Sequence, residues 1–178
     1  MSMPVCWWIV ALALLQCIAA QTTGIIHLFS SSRCSGSHMS CGDIPPNGCC
    51  TTGGDVFASA ILVSRQEDAL LGVYAQTECK GVSRQGVSLV CIQPTFAFSA
   101  ARWTGSAKKS RRNDTEPSSE FDDCRRPNLI TLVDDNGEEV NITIPDGENT
   151  DYERAFVQGD FVKLMKLANI NRSLRFSR

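Results

Sequence analysis

Seven cysteines carry the chemistry this sequence most plainly offers: Cys34, Cys41, Cys49, Cys50, Cys79, Cys91 and Cys124. No pair has the C-x-x-C spacing of a structural zinc site, and only His27 and His38 could supply imidazoles. In an oxidising compartment such a set reads as a disulfide framework built from Cys34, Cys41, Cys49, Cys50, Cys79 and Cys91, with Cys124 left over. The connectivity stays open. Only Cys49 and Cys50 are constrained: a bridge between neighbours strains the geometry, so each is directed to a different partner.

Acid–base and nucleophilic chemistry is thinner. His38 lies beside Ser40 and Asp43, too close in sequence to build a triad without a special turn. The stretch Gly86-Val87-Ser88-Leu89-Val90 lacks the second glycine of a nucleophile elbow. Carboxylates before residue 110 are few (Asp43, Asp55, Glu67, Asp68, Glu78), and they show no paired-carboxylate pattern. No phosphate loop or dinucleotide fingerprint is present. The expectation is a protein that is not an enzyme, with no catalytic residues, no metal and no cofactor.

The address is set by the start of the chain. Val5 to Ile18 is apolar and uncharged and ends in Ala19-Ala20. It is short for a membrane span and carries the small residues of a signal-peptidase site, so residues 1–20 read as a signal peptide that removes Cys6 and Cys17. No later stretch reaches the roughly 20 apolar residues of a spanning helix, and a soluble, secreted, extracellular protein is expected. Three N-glycosylation acceptors suit that route: Asn113, Asn141 and Asn171. The run Lys108-Lys109-Ser110-Arg111-Arg112 has the form of a dibasic processing site. A nuclear-targeting patch or a plain solvated linker fits the same residues.

A net charge of −2 conceals an acidic end, since most of the positive excess before residue 113 is that basic run. Without it the cysteine-rich region is neutral, which excludes the basic face that nucleic-acid binding needs. The partner expected is an extracellular or host target, protein or cell-wall glycan, with no nucleic acid and no membrane span.

The elements that must position the cysteines are short and β-favouring. Ile25–Phe29, Val56–Val63, Leu70–Ala75, Val87–Ile92 and Phe96–Trp103 are apolar runs separated by turn-rich segments, of which Pro45-Pro46-Asn47-Gly48 is the strongest. Such spacing predicts an all-β sandwich. The acidic end adds two β-type runs, 129–133 and 140–144, around Asn136-Gly137, then a helical pattern from Asp151 to Asn169 that Gly159 weakens. The division expected is a β domain over 21–107, a linker over 108–123 and a ββα extension over 124–178.

A repeat underlies the β domain. Phe29 to Tyr74, Cys34 to Cys79 and Gly36 to Gly81 are each separated by the same 45 residues. Ser59 and Ser99 follow later in the two halves. An aromatic residue, a glycine seven positions on and a later serine resemble the Greek-key signature of the βγ-crystallin superfamily. That resemblance covers about residues 24–104. It implies two Greek-key units in one wedge of two sheets, anchored at Phe29, Gly36 and Ser59 and at Tyr74, Gly81 and Ser99. In it the glycine adopts positive φ where the chain folds over the ring, and the serine hydroxyl ties the fold down. Microbial relatives of this type often hold calcium. The matching segments here, Gly54–Ser59 and Pro94–Ser99, keep few of the oxygen ligands, so no strong calcium site is expected. The setting the resemblance implies is a fungal secretome. The role expected is an effector-like or toxin-like binding protein acting through surface loops. The alternatives are a structural cell-wall protein or a small secreted hydrolase.

Overall fold

The computed structural model describes residues 23–105 and 124–175, with side chains to residue 169. Strand β1 (Gly24–Phe29) turns Ile26 and Leu28 inward, fully buried, and His27 outward, the period-two alternation its sequence encodes. It lies between β2 (His38–Ile44) and β4 (Ser59–Ser64), antiparallel to both. The short β3 (Cys49–Thr51) between them leaves for a second sheet.

The second unit repeats this plan. Strands β5 (Leu70–Gln76), β6 (Lys80–Val87) and β7 (Ala100–Thr104) form the second sheet, where β3 pairs with β7. In return Ile92 crosses to the first sheet and exchanges two backbone hydrogen bonds with Ala60 of β4, at 2.8 and 3.0 Å. Each unit therefore lends its third strand to the other's sheet, and neither half is closed without its twin. Two Greek-key units in a disulfide-stapled sandwich are the architecture the sequence led one to expect.

The extension is integral to that sandwich. β8 (Cys124–Arg125) lies parallel to β3 at the edge of the second sheet. β9 (Leu129–Val133) pairs with β2, and β10 (Glu139–Thr143) pairs with β9, so the first sheet runs β10-β9-β2-β1-β4 and the second β6-β5-β7-β3-β8. The β9–β10 turn is held by the Asp134 carboxylate, which accepts from the N–H groups of Asn136 and Glu138 at 2.8 Å each; these bonds, the Glu138 one foremost, hold its pKa below the usual value. The single helix expected over 151–169 is two: α1 (Asn149–Val157) and α2 (Phe161–Arg175). Gly159 separates them at φ +69°, where the left-handed backbone ends α1 as glycine does after helices generally.

One large core joins both units and the extension, with a small second cluster at Cys49, Cys79 and Ala100. Trp103, fully buried, donates from Nε1 to the Ile44 carbonyl at 3.0 Å, satisfying the indole that its burial would otherwise strand. Phe57 and Phe98 bridge the two units with ring centroids 6.3 Å apart, and Phe156 of α1 stacks on Phe57 at 6.5 Å. Tyr152, Ala155 and Leu164 join the same cluster.

Candidate functional site

The best-defined constellation sits on the outer face of the first sheet, where β1 turns into β2. Phe29 is buried beneath the hairpin that follows it, and Gly36 supplies the positive φ (+82°). Ser59, fully buried, accepts from the Cys34 N–H at 2.9 Å and donates to the Ser31 carbonyl at 2.6 Å. The fold-back is thus locked at both ends by one hydroxyl. Ser59→Ala strands both backbone groups and is expected to cost about 1–3 kcal/mol in urea unfolding. Faster hydrogen exchange at Cys34 should accompany the loss.

The second unit keeps the frame but alters the clamp. Phe29 pairs with His38 and Tyr74 with Ser83, so the 45-residue spacing holds through both hairpins. Gly81 again has positive φ (+81°). On the other side Phe29 pairs with Ser59 whereas Tyr74 pairs with Ala100. Ser99, expected as the second anchor, stands one residue earlier: its N–H donates to the Tyr74 carbonyl as that of Ala58 donates to Phe29. Alanine occupies the clamp position. Arg102 lies over the Tyr74 ring at 5.7 Å, an aromatic–cation contact with no counterpart in the first unit.

Both histidines converge beside the first clamp. Their ring centroids are 4.7 Å apart edge to face, and His38 is 4.8 Å from the Phe29 ring. His38 donates from Nδ1 to the Gly36 carbonyl at 3.1 Å. His27 Nδ1 lies 2.7 Å from Ser40 Oγ. Burial, and then the neighbouring His38, pushes the His27 pKa down to about 4. Protonation of the ring makes Nδ1 the donor to Ser40 Oγ. Ser40 is 0% exposed, so its hydroxyl has no path to a substrate, and no described carboxylate bonds either ring. The contact therefore packs the sheet surface and does not assemble a triad.

The sign of the pH effect follows. A base whose folded pKa is depressed below the unfolded value near 6.5 stabilises the fold fully above that value and loses the contribution as pH falls towards 4. Stability is expected to fall across this window by on the order of 1 kcal/mol, given the partly buried ring. His27→Gln should flatten that part of the profile. An unchanged slope would remove His27 from the account.

Sulfur bridges join the units. Cys34 bonds Cys91, tying the first hairpin to the segment crossing from the second unit. Cys41 bonds Cys50, linking β2 to β3 across the sandwich, and Cys49 bonds Cys79. The neighbours Cys49 and Cys50 do reach different partners. Cys124 pairs in register with Cys49 and packs beside the Cys49–Cys79 bridge. Among the described residues no group of three or more histidines, cysteines or carboxylates comes together as a metal site.

Two further features leave no local signal in the sequence. Glu153, 1% exposed, receives a two-pronged ion pair from Arg126 at 2.9 and 2.6 Å and accepts from the Gly53 N–H at 3.0 Å. This joins α1, the segment after β8 and the β3–β4 loop. Glu153→Gln should cost about 1–2 kcal/mol in chemical unfolding, by weakening charged hydrogen bonds to a buried carboxylate whose partner Arg126 is partly exposed. The second is a polar cavity of about 360 Å³, lined by Gly42, Arg125, Arg126, Asn128, Asp146 and Asn149 among others. Its walls come from β2, the β8–β9 connection and the start of α1.

The signal peptide 1–20, the processing residues Lys108, Lys109, Arg111 and Arg112, and the glycosylation acceptor Asn113 lie outside the described residues, as does the side chain of Asn171. Asn141 is exposed on β10, where its Oδ1 accepts from the Thr131 hydroxyl at 2.7 Å. No described helix is long and apolar enough to cross a membrane.

No curated protein and no solved structure matches the chain. A family model described as an N-terminal domain, ARB_05566_N, matches residues 25–128. That span holds both Greek-key units, all three bridges and both histidines. With more than half its length matched, the chain belongs to the ARB_05566_N family of N-terminal domains.

Proposed function

We propose that the protein is a secreted, non-enzymatic binding protein of crystallin-like type, effector-like or toxin-like, that presents surface loops on a rigid β scaffold to a host, competitor or cell-wall component. The observation that carries this reading is the way three bridges and two exchanged strands fix the loops between elements. Rigid loops bind without paying ordering entropy at the moment of contact. The buried Ser40 and the lack of a carboxylate on either imidazole among the described residues support binding over hydrolysis. The repeat of aromatic, glycine and strand exchange supports the crystallin-like type.

The test is intact-mass and fractionation analysis of the protein expressed through a fungal secretory pathway. The expected product is a soluble monomer that starts near Gln21, carries three disulfides and binds its target without turnover. Retention in the insoluble wall fraction would turn the reading to a structural role. Turnover that disappears in His38→Ala would turn it to an enzyme.

A further inference from the structure

The two units differ in what covers their second strands. In the first, β2 has a further strand beside it: β9 pairs antiparallel through His38 with Thr131, Met39 with Ile130 and Ser40 with Leu129. The 45-residue spacing places Ser83, Arg84 and Gln85 of β6 at the same positions in the second unit. There β6 ends the sheet. Seven of its eight residues are exposed, Val82 at 67% and Val87 at 47%. The chain fills one of two equivalent edges and leaves the other open among the described residues.

We propose that β6 takes an extended, acidic peptide segment of a partner protein as an added antiparallel strand centred on Ser83–Gln85. An open edge offers a row of backbone donors and acceptors, and a strand that satisfies them gains main-chain affinity, with side chains setting preference. The fold itself demonstrates the geometry at β2. Charge selects the partner. Arg84 is the lone charged residue from Gly81 to Val87, and Lys80 at the strand's start is already bound to Glu78 at 2.6 Å. A carboxylate opposite Arg84 is favourable, whereas a second copy pairing its own β6 brings two Arg84 side chains to one seam. Of the first sheet's two outermost strands, β4 is met by Leu89 and Ile92, and β10 carries the exposed Glu139.

This inference rests on the binding-protein reading and names a partner chemistry for it. The test uses the full-length oxidised protein and two end-blocked heptapeptides alternating valine and threonine, one with a central glutamate and one with a central lysine. By fluorescence anisotropy the glutamate peptide should bind roughly two- to fivefold more tightly. Hydrogen exchange should slow at Ser83 and Gln85, whose N–H groups face the open edge, and Arg84→Glu should reverse the preference. Binding of neither peptide up to about 1 mM, protection on β10 or β4 instead, or a preference that Arg84→Glu leaves unchanged would each overturn it. Concentration-dependent protection of β6 without peptide would overturn it in favour of self-association. Any of these would leave a loop-borne target standing, while turnover or wall retention would remove the binding reading itself.

Discussion

Cut after Arg112, the protein is expected to elute from native size exclusion as one particle, and to part in denaturant without reductant, since all three bridges lie before the cut. The acidic half is no appendage that proteolysis releases. β9 continues the first sheet through three residue pairs with β2, and β8 continues the second beside β3. Tyr152, Ala155, Phe156 and Leu164 are buried in the same core as Trp103 and Phe57. Full burial of each large side chain contributes about 1.5–3 kcal/mol, against a net stability of about 5–15 kcal/mol for a whole domain. A chain ending at Arg112 loses three of these large side chains together with the Arg126–Glu153 pair. It should therefore show no cooperative thermal transition and should bind a hydrophobic dye. Phe156→Ala, which removes the ring stacked on Phe57, should cost about 3–5 kcal/mol in the full chain. A truncated chain that melts as sharply and as high as the intact one would show that the first 112 residues fold alone.

How much of this was legible depended on whether the signal was local. Phe29 and Tyr74, with their glycines seven residues on, were readable because a left-handed backbone beside an aromatic ring leaves a fixed spacing in the sequence. The clamp at Ser59 could be read the same way. Its counterpart could not: Ser99 and Ala100 are adjacent, and which one faces Tyr74 is decided by strand register, which no local pattern reports. Gly159 weakens the helical pattern, but only its φ of +69° shows that it ends a helix. The two-residue β8 has too few positions to show alternation. Arg126 and Glu153 are 27 residues apart, and their pairing follows from where β8 and α1 pack. The cavity, the integration of the extension and the open edge of β6 are consequences of assembly. The family match stops at residue 128 while the core runs on to Leu164.

The bridge pattern leads to an ordering of stabilities that a mutant series can check. In the chain-entropy account a crosslink stabilises more as the loop it closes in the unfolded chain lengthens. Cys34 and Cys91 are 57 residues apart, Cys49 and Cys79 are 30, and Cys41 and Cys50 only 9. Replacing both members of a pair by serine should therefore cost about 4 kcal/mol for Cys34–Cys91 and about 2.5 kcal/mol for Cys41–Cys50, with Cys49–Cys79 between. Packing acts in the same direction at the first bridge. Cys91 precedes Ile92, whose two backbone bonds to Ala60, with the Leu89 N–H and Ser88 hydroxyl on the Leu62 carbonyl, carry the return crossing from the second unit onto β4. Cys34 sits in the hairpin clamped by Ser59. Losing that bridge should release both at once, seen as faster hydrogen exchange at Cys34, Ala60 and Ile92 before global unfolding. If the nine-residue bridge proves the costlier one to lose, burial at Cys41 and Cys50 dominates loop entropy, and the long bridge does not hold the two units together.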